Sequence, residues 1–123
     1  MIKKTVTYED YNGLKRTEDF YFNLNEAELL EMQVSTGGNG VAEMMRAMIA
    51  KNDMAAILFF FKDFVLKAYG EKSQDGLRFV KNDSIRASFE QSNAYPIIFM
   101  ELATDDKAAA EFVNGVVPQP KKN

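Results

Sequence analysis

Three adjacent pairs of acids, Glu9-Asp10, Glu18-Asp19 and Asp105-Asp106, are the groups in this 123-residue chain best placed for acid–base chemistry. Two carboxylates can share proton donor and acceptor roles when their surroundings push their pKa values apart. Each pair also has a plain structural reading, at a helix start or in a hairpin. No histidine and no cysteine occur. That removes the commonest general base, the commonest zinc ligands and the thiol nucleophile together. The run Gly37-Gly38-Asn39-Gly40 lacks both the P-loop Lys-Ser/Thr and the dinucleotide-binding spacing. The expectation is a protein that is not an enzyme and that holds no metal and no cofactor.

The charge pattern narrows the partners. Fifteen basic and eighteen acidic residues leave a net charge of −3, with the lysines scattered. A nucleic-acid surface normally shows a basic stripe, so no nucleic-acid partner is expected. The apolar run Met54 to Phe61 is far too short to span a bilayer, and Met-Ile-Lys-Lys is not the start of a signal peptide. A cytoplasmic setting and no membrane contact follow as expectations.

The elements that would position any site begin with a hairpin over 3–22. Thr5-Val-Thr-Tyr8 and Asp19-Phe-Tyr-Phe22 flank Asn12-Gly13, a strong turn signal. A two-residue turn would mix the faces. A three-residue loop, Tyr11 to Gly13, with Gly13 as a bulge, puts Ile2, Val6, Tyr8, Phe20 and Phe22 on one face. Asn25-Glu-Ala-Glu28 reads as a capping box opening a short helix with Leu29, Leu30 and Met32.

A second helix is expected over about Val41 to Ala50. Its stripe Val41, Met44, Met45, Met48 and Ile49 has helical spacing. A third, capped by Asn52 or Asp53, is expected to end at Gly70. It buries Met54, Ile57, Leu58, Phe61, Phe64, Val65 and Ala68 on one broad face, and Phe59 and Leu66 point the other way. That second apolar face is either sandwiched in the core or an exposed partner contact. The methionines Met44, Met45 and Met48 are either core filling or an adaptable binding surface. Phe59, Leu66, Met44, Met45 and Met48 are therefore the candidate partner-binding residues.

Asp75-Gly76 marks a turn, and Leu77 to Val80 is apolar but of undecided class. Asp83 is the expected cap of a helix with Ile85 and Phe89. Another helix starts at Ser92-Asn-Ala-Tyr-Pro96, with proline in its first turn. The closing segment has its own punctuation. Thr104 or Asp105 caps, Ala108 to Ala110 favour helix, Gly115 is expected to end the helix in a left-handed conformation, and Pro118 blocks continuation. The fold class is mainly α with an N-terminal β-hairpin (α+β), a single small helical domain of about five to six helices. It occupies 1–118, with a helical body over 25–115 and a disordered tail over 119–123.

The ending Ala109-Ala-Glu-Phe-Val-Asn-Gly-Val-Val-Pro118 resembles that of tail assembly chaperones of long-tailed bacteriophages. The order Phe64-Val-Leu-Lys-Ala-Tyr-Gly70, Asp75-Gly-Leu-Arg-Phe79, and Phe89-Glu-Gln-Ser-Asn-Ala-Tyr95 leading into Phe99-Met-Glu-Leu102 is similar to the same family, as is a hairpin before a helical body. The resemblance implies a non-structural protein of the host cytoplasm, absent from the mature virion. Its partners would be the tape measure protein and the tail tube protein, whose subunits it recruits. It also implies self-association, or pairing with a longer frameshifted form. Lys121-Lys122-Asn123 can be encoded by an adenine-rich slippery run, where such a shift would fall. Two other classes share these signals: a small phage or plasmid regulatory or inhibitory protein, and a structural tail or head-completion protein.

Overall fold

The computed structural model describes residues 1–35, 47, 48 and 50–118. Strands β1 (Ile2–Glu9) and β2 (Lys15–Phe22) form the expected hairpin. Asp10 N–H donates to Leu14 O at 2.8 Å and Gly13 N–H to Asp10 O at 3.0 Å, enclosing Tyr11 to Gly13 with Gly13 at φ 81°. This bulged loop sets the register, Ile2 opposite Phe22, Lys4 opposite Phe20 and Val6 opposite Glu18. Val6, Phe20 and Phe22 are buried on the inner face. On the outer face Thr5 Oγ1 donates to Asp19 at 2.6 Å, and the Thr7 and Thr17 hydroxyls lie 2.9 Å apart.

The hairpin is only half of the sheet. Two further strands, β3 (Tyr69–Lys72) and β4 (Phe79–Val80), extend it to an antiparallel sheet in the order β1-β2-β3-β4. Among the described residues the helices are α1 (Glu26–Ser35), α2 (Met54–Ala68), α3 (Asp83–Glu90), α4 (Ala94–Thr104) and α5 (Asp106–Val116). The fold is therefore α+β with a multi-stranded sheet, rather than one hairpin on a helical body. The expected helix over 41–50 lies outside the described residues except at Ala47, Met48 and Ala50, as does the tail 119–123.

Several boundaries differ from the sequence reading, each for a physical reason. The helix α2 stops at Ala68, and Tyr69 and Gly70 become strand because Phe22 and Tyr21 offer them a pairing edge. Gly70 has no room for a side chain: a Cβ there would come 2.6 Å from the Phe79 ring and 2.9 Å from Val80 O. Gly115 does not end its helix; α5 runs through it to Val116. The glycine instead lets the helix approach β1, since a Cβ would meet Ile2 Cδ1 at 3.0 Å. Asn82, not Asp83, caps α3, accepting from Ile85 N–H at 2.8 Å.

Other local signals are realised as read. Glu28 N–H donates to Asn25 Oδ1 at 2.8 Å and Asn25 N–H to Glu28 Oε1 at 3.0 Å, a reciprocal capping box. Asp53 caps α2 through Ala56 N–H at 3.1 Å. Asp105 caps α5 through Lys107 and Ala108 N–H, each at 3.1 Å.

The core lies between the inner sheet face and the helices. Phe22 sits at its centre, its ring 5.7 Å from those of Tyr69 and Phe89 and 5.2 Å from that of Phe112. Tyr69 stacks on Phe89 at 4.2 Å. Burying each such ring stabilises the fold by roughly 1.5–3 kcal/mol, with edge-on and offset ring geometry adding to it. The enclosure pushes the Tyr69 phenol up to about 12, chiefly through desolvation.

Because Gly70 lies under the Phe79 ring and beside a backbone oxygen, Gly70→Ala should destabilise the protein by about 1–3 kcal/mol. Urea unfolding measures this. A neutral or stabilising result would show that β4 does not pack on β3 as described.

Candidate partner-binding surface

Phe59 stands on the outward side of α2, a turn away from Lys62 and Asp63. It is 77% exposed. Leu66, expected on the same side, is 9% exposed and part of the core. The reason is α3: Arg86 reaches over the end of α2, its Nε donating to Leu66 O at 3.0 Å. The sandwiching of α2 therefore covers Leu66 and stops before Phe59, so the two do not form one patch. Met54, expected in the buried stripe, is exposed at the first turn of α2. Met48 is partly exposed, and Met44 and Met45 lie outside the described residues.

The structure adds apolar side chains that the sequence reading did not single out. Ile97 and Met100 are exposed on α4, and Leu30 on α1. Tyr11 and Leu14 stand at the β1–β2 turn and Leu77 at the β3–β4 turn. The turn residues carried a signal, since each flanks a turn glycine and loop tips lie in solvent. Ile97 and Met100 carried none: α4 is apolar nearly all round, and periodicity cannot tell which side is covered.

Both turns are held by a carboxylate. Asp10 accepts from Asn12 N–H at 2.9 Å, Leu14 N–H at 3.0 Å and Arg16 Nε at 2.6 Å. Asp75 accepts from the Ser73 hydroxyl at 2.6 Å and Leu77 N–H at 3.0 Å. The Arg16 guanidinium and then the Leu14 amide hold the Asp10 carboxyl below its ordinary range; the Ser73 hydroxyl does most for Asp75. These acids, Asp10 among the candidates for acid–base work, are occupied in shaping turns. Glu18 accepts from the Tyr8 hydroxyl, Asp19 from Thr5, and Asp105 caps α5.

One cleft of about 340 Å³ lies among α1, α2 and α3, lined by Leu24, Glu28, Glu31, Met32, Lys67 and Arg86. Its charges are largely committed. Glu28 is paired with Lys81 at 2.7 Å, Lys67 with Asp63 at 3.0 Å and Arg86 with Asp83 at 3.0 Å. The large exposed apolar side chains thus lie singly on α1, α2 and α4 and at the two turns.

A family model described as phage tail assembly chaperone matches residues 1–121. The chain belongs to that family. Neither a curated protein nor a solved structure matches it. Its class is thus an α+β member of the phage tail assembly chaperones, with a role in tail assembly.

Two outcomes follow from this geometry. Phe59→Ala should change stability by no more than about 0.5 kcal/mol, as for an exposed site. Leu66→Ala should cost about 2–5 kcal/mol, as for a core leucine. Equal losses in chemical denaturation would contradict the one-sided cover of α2. For Asp10, whose folded pKa lies below its ordinary 3.8, the stabilisation is complete above that value and is lost as pH falls through the lowered one. Amide hydrogen exchange at Asn12 and Leu14 should accelerate, relative to amides elsewhere in β1 and β2, only in that acid window. Selective loosening at neutral pH would disprove the assignment.

Proposed function

We propose that the chain is a non-catalytic assembly factor that binds the tape measure protein and helps recruit tail tube subunits to it during tail morphogenesis. Family membership over residues 1–121 carries the reading. The sequence is consistent with it: it has neither histidine nor cysteine, and of the paired acids Asp10 shapes a turn and Asp105 caps a helix. A factor of this kind acts in the host cytoplasm and leaves before the virion is complete. A longer frameshifted form of the same chain would be a further partner.

The surface best suited to first engagement is the exposed side of α2 around Phe59. A lone large aromatic on a rigid helix loses little conformational entropy on binding, and aromatics dominate interface energetics. The test is co-expression of the tagged chain with the tape measure and tail tube proteins of the same phage, followed by affinity capture. Both should be retained by the wild-type chain, and Phe59→Ala should reduce capture of the tape measure protein at unchanged stability. Capture of neither protein, together with the chain in purified virions, would replace this reading with a structural role.

A further inference from the structure

The described residues include two Asn-Gly steps, Asn12-Gly13 and Asn114-Gly115, and the fold makes them chemically unequal. An asparagine side-chain amide is open to attack by the backbone nitrogen of the next residue, and glycine, with no Cβ, hinders that attack least. Asn114 and Gly115 lie inside α5, where the ladder of helix bonds fixes the backbone. Gly115 is also pressed against β1, since a Cβ there would meet Ile2 Cδ1 at 3.0 Å. Asn12 is exposed at the tip of the β1–β2 turn, with Gly13 at φ 81°. Loop tips open more readily than helix interiors.

Asn12 is restrained chiefly by one neighbour. The Gly13 N–H donates to Asp10 O at 3.0 Å, so the nitrogen that would attack is held. The Asp10 carboxylate holds the rest of the loop, accepting from Asn12 N–H at 2.9 Å, Leu14 N–H at 3.0 Å and Arg16 Nε at 2.6 Å. The attack needs the deprotonated Gly13 nitrogen, and the carboxylate charge disfavours a second negative charge close by. The loop must therefore open at Asp10 before Asn12 can react.

We infer that Asn12 is a site of spontaneous modification, converting to isoaspartate at a rate set by the Asp10 staple. The Gly13 nitrogen gives its proton to the solvent and attacks Asn12 Cγ. The N–Cγ bond forms, the Cγ–Nδ2 bond breaks, and the amide nitrogen takes a proton from water and leaves as ammonia, closing a cyclic imide. Water then adds to either imide carbonyl. Opening at the side-chain carbonyl leaves aspartate. Opening at the main-chain carbonyl leaves isoaspartate, with the chain rerouted through Cβ and Cγ. The net change is an amide exchanged for a carboxylic acid, with water consumed, ammonia released and no electron transferred. The isoaspartate form has a loop longer by one backbone atom and a new negative charge near Asp10, at the turn that carries Tyr11 and Leu14. The inference goes beyond the proposed function, because it requires no tail protein.

Timed incubation of the purified chain tests it, read by peptide mass spectrometry that separates aspartate from isoaspartate, with circular dichroism as the folding control. In the folded wild-type chain Asn12 should convert while Asn114 stays intact. Urea should speed conversion at Asn12, because the loop bonds are then broken. Asp10→Ala should raise the rate at Asn12 roughly tenfold or more, the factor for one lost hydrogen bond to a charged group. An Asn12 that lasts as long as Asn114 in the folded chain would overturn the inference. So would a rate at Asn12 that urea does not raise, or one that is no higher in folded Asp10→Ala than in the wild type. Should Asp10→Ala not fold, Asp10→Asn decides in the same way, since it keeps an acceptor oxygen and loses the Arg16 pair.

Discussion

The structure hangs on the three residues that follow the hairpin, Phe22-Asn23-Leu24. Phe22 and Leu24 are buried, and the backbone between them closes two helices at once. Asn23 N–H donates to Ala68 O at 2.9 Å, satisfying a carbonyl at the end of α2; Leu24 N–H donates to Val116 O at 3.1 Å, doing the same for α5. Lys81 Nζ donates to Asn23 O at 2.7 Å and to the Glu28 carboxylate at 2.7 Å, which holds the start of α1 to the segment after β4. The last carbonyls of a helix have no partner of their own and are costly to bury unpaired. One short extended segment supplies partners to both helix ends and contributes the central ring of the core.

The rest of the arrangement follows from that junction. Tyr69 pairs with Phe22 as soon as α2 ends, so the chain turns directly from helix into strand and the sheet widens. The inner face then carries Phe20, Phe22 and Tyr69 side by side, and Phe89 covers all three. Helices α3 and α5 close over this aromatic layer, and α4 flanks β1. What is left outside is uneven: one sheet face of threonines and charges, and isolated apolar side chains on α1, α2, α4 and the turns.

Much of this was legible in residue order wherever the physics is local. The bulged hairpin could be read because only one register puts Val6, Phe20 and Phe22 on a common face. The cap at Asn25 could be read, and those at Asp53 and Asp105 to within one residue, because a side-chain oxygen meets a backbone N–H two or three residues on. The candidate surface was legible only in part. Phe59 and Leu66 are equivalent in helical spacing, and nothing in the sequence of α2 says that Arg86 and α3 arrive over one and not the other. Met54 lies on the apolar stripe yet outside the core, because that stripe runs past the end of the surface it packs against.

By itself, the sequence determined the hairpin and its register, the starts of α1, α2 and α5 to within a residue, the aromatic inner face, and the lack of imidazole and thiol chemistry. Each depends on residue identity or on spacing within a few positions. Tertiary structure alone decided that Tyr69 and Gly70 would be strand, because the pairing edge they use, at Tyr21 and Phe22, belongs to a strand far earlier in the chain. It also decided the meaning of two glycines. Gly70 makes room for Phe79, and Gly115 lets α5 lie against Ile2; neither is needed for its own backbone angle. A glycine chosen for close approach looks the same in sequence as one chosen for a turn. Only the neighbour brought against it by the fold distinguishes them.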